Sequence, residues 1–295
     1  AFYDNRILNY RNQDLSAARY YGPHDHPLYR LAAEFSPPSA GLYRVGYHRS
    51  YLDQAGWLNG SLSALGFDTK PLLPWYKEAV EAVADGLPNE LWPRDWKQPF
   101  WANMSVRYLV TDGPLGDPSF RPLGRAGGYF AFEAPSALPR VYFQDRWRTA
   151  DASKEKDALL SSDLAPEGVC SSEVWEARPR PYPSPAGDPA ARREGGRILE
   201  ADFSDPNRVV IEAEVWRPAM LVLTDVWHPD WTLRVDGRPE ALRRVNFLQR
   251  GVWCGPGRHR LEMAFRPAAL FRGRLMTAGG VVAAALLLLL GRCRS

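Results

Sequence analysis

The chain changes its hydrophobic rhythm partway along. From residue 105 to residue 267 apolar side chains fall mostly at every second position, the period of a half-buried strand. Residues 105–111, 128–135 and 140–144 predict three strands. In the second, Tyr129, Ala131 and Glu133 share one face while Phe130 and Phe132 take the other. Residues 208–216 alternate again, and 244–253 predict a further strand. Residues 219–227 form a more continuous apolar run, as a strand buried on both faces requires. In 231–237, Trp231, Leu233 and Val235 point inward, and the run ends in Asp236-Gly237, a strong hairpin signal. Gly255-Pro256-Gly257 predicts another turn. The strand after it carries His259, Leu261, Met263 and Phe265 on one face. Short strands separated by turn signals at this spacing predict an antiparallel β-sandwich, jelly-roll-like in character.

The N-terminal third is mixed α/β. Residues 41–47 alternate and predict a short strand. Residues 74–87 predict a helix with Pro74 at its start, Ala79, Val80 and Val83 on one side, and Gly86 as its stop. A short helix is expected near 152–160. The expected organisation is a mixed α/β region over 1–104, strands and a short helix over 105–176, and a Pro/Gly/Arg-rich loop or linker over 177–197. Sandwich strands follow over 198–268, and one transmembrane helix over 272–292.

That last element rests on the tail. The 17 residues 275–291 carry no charge and include five consecutive Leu. This is at the short end of the roughly 20 apolar residues that cross a hydrocarbon core. Arg272 and Arg274 flank one end, and Arg292 and Arg294 the other. Long Arg side chains reach outward to the interface and relieve a short span. A run of Leu with no polar side does not suit a helix that has one face in water.

Composition narrows the function classes. The chain has 295 residues and a net charge of +3, too little to argue for nucleic acid. Mean hydropathy is −0.37, which excludes several spans within these residues and leaves room for one. Only five of the 37 basic residues are Lys, a bias that fits a GC-rich coding sequence as well as a binding surface. Cys170, Cys254 and Cys293 are too few for a disulfide framework. A single Cys170–Cys254 bridge is one option if the region lies outside the cytoplasm.

No phosphate-binding loop, dinucleotide fingerprint, nucleophile elbow or zinc-protease helix is present. His24-Asp25-His26 is the one histidine cluster, but prolines bracket it and no third His or Cys stands nearby, which favours a surface loop over a metal site. Asn59-Gly60-Ser61 and Asn103-Met104-Ser105 have the form of glycosylation acceptors, a triplet that also arises by chance. The most distinctive string is Trp227-His228-Pro229-Asp230-Trp231. It has two readings. Trp227 and Trp231 stack on a sugar ring whose hydroxyls His228 and Asp230 contact, or Pro229 and Asp230 make a strand–turn–strand corner that both tryptophans anchor.

These strings together resemble the C-terminal end of the bacterial YfhO-like membrane proteins. The resemblance lies in Pro229-Asp230-Trp231, Val235-Asp236-Gly237, Arg250-Gly251-Val252 and Gly257-Arg258-His259, in that order before an apolar helix. Residues 106–112 and 130–143 also look like strings of that family, and 40–80 does so more weakly. Asp230 stands where the family usually has Gly, a departure inside a turn. The resemblance implies a GT-C-type, glycosyltransferase-like protein of the bacterial cell membrane. It would take sugar from a polyprenyl-phosphate-linked donor at the outer face and decorate an envelope glycan acceptor. It also implies that the soluble part is extracytoplasmic, and that the catalytic acid and the other spanning helices lie N-terminal to Ala1. No catalytic, cofactor-binding or metal-binding residue carries over, so the expected partners are membrane lipid, that sugar donor and the acceptor. The alternatives are a singly anchored carbohydrate-binding or adhesion module with a sandwich head and, with least support, a soluble hydrolase.

Overall fold

The structure, a computed structural model, describes residues 42–47, 74–87, 90–178, 195–269, 273 and 276–280. The His24–His26 cluster, the triplet at Asn59, Cys293, most of the 177–197 linker and most of the 272–292 segment lie outside the described residues. Among the described residues no helix is long and apolar enough to cross a membrane. Residues 276–280 are helical and exposed.

The described chain is mainly β, with largely antiparallel sheets. It contains strands β1 (Arg44–Tyr47), β2 (Ala84–Leu87), β3 (Glu90–Pro93), β4 (Val106–Thr111), β5 (Arg121–Ala126), β6 (Tyr129–Glu133), β7 (Val141–Gln144), β8 (Trp147–Thr149) and β9 (Gly168–Cys170). After them come β10 (Gly196–Asp205), β11 (Arg208–Val215), β12 (Ala219–Leu223), β13 (Trp231–Val235), β14 (Arg238–Glu240), β15 (Arg243–Val245), β16 (Gln249–Cys254) and β17 (Gly257–Phe265). Four helices are interspersed: α1 (Pro74–Val83), α2 (Pro99–Asn103), α3 (Ala152–Ser161) and α4 (Ser172–Glu176).

Three larger sheets form. Their strand orders are β1-β4-β6-β5, β15-β16-β12-β7 and β10-β11-β17-β13-β14, and β2-β3 and β8-β9 are ribbons. Two pairs depart from the antiparallel expectation: β1 with β4, and β8 with β9, are parallel. A parallel neighbour needs a crossover. For β8 and β9 that crossover contains α3, capped by the Asp151 carboxylate, which accepts the Lys154 N–H at 2.9 Å.

Strand β12 shows why its sequence has no polar break. All five residues are buried. Met220 and Val222 face an apolar cluster shared with α1, α2, α3 and β9, whereas Leu221 and Leu223 face a second cluster built with β11, β13 and β17. Opposite Val222 in β16 is Gly251, where an added Cβ would come within 2.5 Å of the Met220 sulfur. That second cluster draws side chains from the inner faces of both the four-stranded β15-β16-β12-β7 sheet and the five-stranded sheet. Fully burying one such aliphatic side chain is worth about 1.5–3 kcal/mol.

Other expectations need correction. Helix α1 buries Ala79, Val80 and Val83 as its periodicity predicts, but it ends at Val83, before Gly86. Arg94 ends it there: its guanidinium donates to the Ala82 and Glu81 carbonyls, at 3.0 and 3.2 Å, and its backbone N–H donates to the Val83 carbonyl at 3.0 Å. Residues 244–253, expected as one strand, form a hairpin instead. Asn246 and Phe247 both take positive φ, of 48° and 66°, and Asn is one of the residues that tolerates this. Strand β10 escaped the period-two reading because register shifts fall between Ile198 and Glu200 and between Asp202 and Asp205. Cys170 and Cys254 do not pair. Each is a buried free thiol, they belong to different apolar clusters, and burial pushes both up to about 12. Asn103 is no glycosylation acceptor, being 1% exposed, with its amide donating to the Leu159 and Ser162 carbonyls.

Candidate functional site

Three sheets meet at a cleft with a cavity volume of about 210 Å³. Arg44 arrives on β1, Arg140 immediately before β7, and Arg250 on β16. The five-stranded sheet contributes Phe203 from β10 and Trp231 from the start of β13. The chain order that brings these together is local at each point. The Thr224 N–H donates to the Arg140 carbonyl at 2.9 Å and the Arg140 N–H to the Leu42 carbonyl at 2.6 Å, so β12's exit, β7's entrance and β1's entrance lie side by side.

Asp225 sits at the centre. Its Oδ1 accepts from Arg44 Nη2 and, at 2.9 Å, from Arg140 Nε, and its Oδ2 accepts from Arg140 Nη2 at 2.8 Å. The Arg140 contact is therefore bidentate, the geometry a planar guanidinium makes with a carboxylate. Arg44 Nη1 also donates to the Met104 carbonyl and to Thr224 Oγ1, at 2.6 and 2.8 Å. Burial alone would raise the Asp225 carboxyl, but Arg140 and Arg44 outweigh it and hold the group below the ordinary carboxylate range. Burial lowers Arg44 from its ordinary value. It pushes Arg250 down to about 10, still fully protonated at neutral pH.

Three guanidinium groups thus surround one carboxylate. Asp205 at the rim is exposed, and solvent screens it. Arg140 and Arg250 are only 8% and 5% exposed, yet Nη1 of each has no hydrogen-bond partner among the described residues. Both lie against rings: Arg140 over Phe203 at 3.7 Å, and Arg250 over Trp231 at 3.9 Å. Stacking of this kind leaves the in-plane N–H edges of a guanidinium available.

The Trp227–Trp231 string divides between two places. Trp231 lines the cleft; Trp227, His228 and Asp230 do not. Trp227 packs near Trp75, ring centroids 6.0 Å apart, and its indole N–H donates to the Leu242 carbonyl at 3.3 Å. His228 Nδ1 accepts the Asp230 N–H at 3.0 Å and the Trp231 N–H donates to the His228 carbonyl at 3.1 Å, which makes the string a tight corner. One face of Trp231 is taken by Arg250, and Phe265 packs against the ring at 5.3 Å. A ligand therefore meets the guanidinium before it meets a bare indole face.

Sequence reasoning missed Arg44, Arg140, Asp225 and Arg250. A usable signal was there: Arg140, Asp225 and Arg250 each interrupt or border a run of otherwise apolar strand residues, where an unpaired charge is costly. The arginine excess hid them. Among the described residues no group of three or more His, Cys, Asp or Glu is placed to hold a metal ion. A second, smaller depression around Glu212 and Arg260 lies on an exposed ion-pair ladder of β11 and β17. Compared with known proteins, the chain matches no family model, no curated protein and no solved structure.

Proposed function

We propose that this chain is the non-catalytic, extracytoplasmic C-terminal part of a membrane-embedded glycosyltransferase-like protein that uses a lipid-linked sugar. Its role in that reading is to hold an envelope glycan acceptor near the membrane face. The two sheets that share the second apolar cluster form the jelly-roll-like sandwich of the head, and the apolar run at 275–290 anchors it.

The observation that carries this reading is the cleft beside Trp231, concave, cationic and close to the chain's exit. Phe265 ends β17 and packs on both Trp231 and His228, and the Arg266 N–H donates to the Asp230 carbonyl at 2.9 Å. The apolar run starts nine residues beyond Arg266. At no more than about 3.3–3.6 Å per residue, the cleft lies within roughly 30 Å of it. That reach suits a module that presents a polymer to a membrane-embedded active site.

The test uses the full chain in lipid nanodiscs and purified envelope glycan. Trp231→Ala is expected to weaken retention about tenfold, by releasing the Arg250 side chain it stacks on. Trp227→Ala, on the other side of the corner, is expected to bind as the parent does. A folded Trp231→Ala variant that holds glycan as well as the parent sinks the reading. The setting is checked with a membrane-impermeant thiol reagent on intact cells: Cys293 stays unlabelled if Arg292 and Arg294 face the cytoplasm, and ready labelling contradicts the anchor's orientation.

A further inference from the structure

We propose that the cleft between the three sheets binds a terminal phosphate group, a phosphate monoester or inorganic phosphate, with Arg140 Nη1 and Arg250 Nη1 as its donors. The inference rests on the reading of this cleft as a binding site, and not on the membrane setting.

Charge is the first argument. Arg44, Arg140 and Arg250 bring three positive charges; Asp225 brings one negative charge inside the cleft, and Asp205 a second at the exposed rim, where water screens it. Buried charge without a counter-charge is expensive, of the order of several kcal/mol per ion. A carboxylate or a phosphodiester would offset one of the two excess charges. A phosphate monoester carries close to two negative charges at neutral pH, and so offsets both.

Hydrogen bonding is the second. Arg44 Nη1 is committed to the Met104 carbonyl and Thr224 Oγ1, and Arg44 Nη2 and Arg140 Nε and Nη2 are committed to Asp225. Arg250 Nε is committed to the Val226 carbonyl at 3.1 Å. Among the buried atoms left unpartnered are Nη1 of Arg140 and Nη1 of Arg250, on two residues that line the same cavity. Phe203 and Trp231 lie against those guanidiniums, with Cζ 3.7 and 3.9 Å from the ring centroids, and restrain them before a ligand arrives. Phosphate offers several strong acceptor oxygens to two such edges at once.

The test is calorimetry on the full chain in detergent micelles, with inorganic phosphate and glycerol 3-phosphate as probes. Saturable binding of both is expected, with dimethyl phosphate and glucuronate at least about tenfold weaker, since each leaves one charge unmatched. Arg250→Gln should lower phosphate affinity by about tenfold or more, while Arg260→Gln on the exposed ladder leaves it unchanged. If Arg250→Gln does not fold, Arg250→Lys keeps the charge but loses the stacked planar edge, and it should also bind phosphate less tightly. A second readout needs no variant: phosphate should raise the melting temperature of the parent above that in chloride of equal ionic strength. The proposal is overturned if phosphate neither binds saturably nor raises the melting temperature. Equal binding of dimethyl phosphate overturns it too, as does undiminished binding by both Arg250 variants. If phosphate fails but neutral envelope glycan still depends on Trp231, only the phosphate assignment falls. If both fail, the cleft is not a binding site.

Discussion

At the scale of single residues, Asp225 decides the most. It is the common acceptor for two guanidinium groups that are each about nine-tenths buried. Removing its charge leaves Arg44 and Arg140 facing each other without a counter-ion. Breaking a buried pair in this way costs about 3–5 kcal/mol. Asp225→Asn, which keeps the shape, is therefore expected to lose that much stability in a denaturant titration. A midpoint within experimental error of the parent would show that the pair is not structural. The pH dependence has a definite sign. Because the folded carboxyl is held below its ordinary value, its contribution is complete at neutral pH and is lost as the pH falls through and below the ordinary carboxylate range.

At the scale of elements, the turn at 246–248 is fastened to α3 and β9 from two sides. Asn246 exchanges two hydrogen bonds with Val169: its N–H donates to the Val169 carbonyl at 2.8 Å and its Oδ1 accepts the Val169 N–H at 2.7 Å. Its amide also donates to Gln249 Oε1 at 2.8 Å. On the helix side, Glu155 Oε2 accepts the Phe247 N–H at 3.1 Å. Burial pushes the Glu155 carboxyl up from 4.5 to about 7, against the opposing pull of that N–H. A carboxyl raised on folding binds more protons in the folded state than in the unfolded state. Stability is therefore fullest below about 4.5 and declines as the pH rises to about 7, by at most about 1.4 kcal/mol per pH unit from this group. Glu155→Gln still accepts from Phe247 and does not titrate. Its stability, followed by thermal melts between these pH values, is expected to be flatter than the parent's; an unchanged slope would remove Glu155 as the cause.

At the scale of the molecule, β7 ties the middle of the chain to its C-terminal strands. It pairs with β12 through Leu223↔Val141 to Met220↔Gln144, across the boundary expected near 177–197. The side of β12 carrying Met220 and Val222 is covered by residues from α1, α2, α3 and β9. A fragment of residues 195–269 would lose an edge strand and expose that side to water. It is expected to lack a cooperative melt and dispersed amide resonances, whereas the full chain melts as one unit over the described region. A fragment with native-like dispersion would refute that dependence.

How much of this was legible in sequence follows from the range of the forces involved. The unbroken apolar run of β12, the Asp236-Gly237 turn with φ of 52° and 79°, and the inward set Leu233, Leu261 and Met263 were legible. Burial and positive φ act on residues a few positions apart, so period and turn residues record them. The Asn246–Phe247 turn was not legible, because its conformation is held by Val169 and Glu155, far away in the chain. The cleft was legible only as isolated charges, and the Trp227–Trp231 string, the best guess for a site, contributes Trp231 alone.

The sequence by itself therefore determined the alphabet of this protein: mostly strands, which residues of several of them point inward, where several turns fall, and a long apolar run near its end. Tertiary structure decided the rest. It chose the neighbours of each strand, made two pairs parallel, kept Cys170 and Cys254 apart, and gathered Arg44, Arg140, Asp225 and Arg250 from positions up to 206 residues apart. The physical reason is that local preferences are written along the chain. Charge compensation in a buried cleft depends on distances through space, and those exist only once the sheets have met.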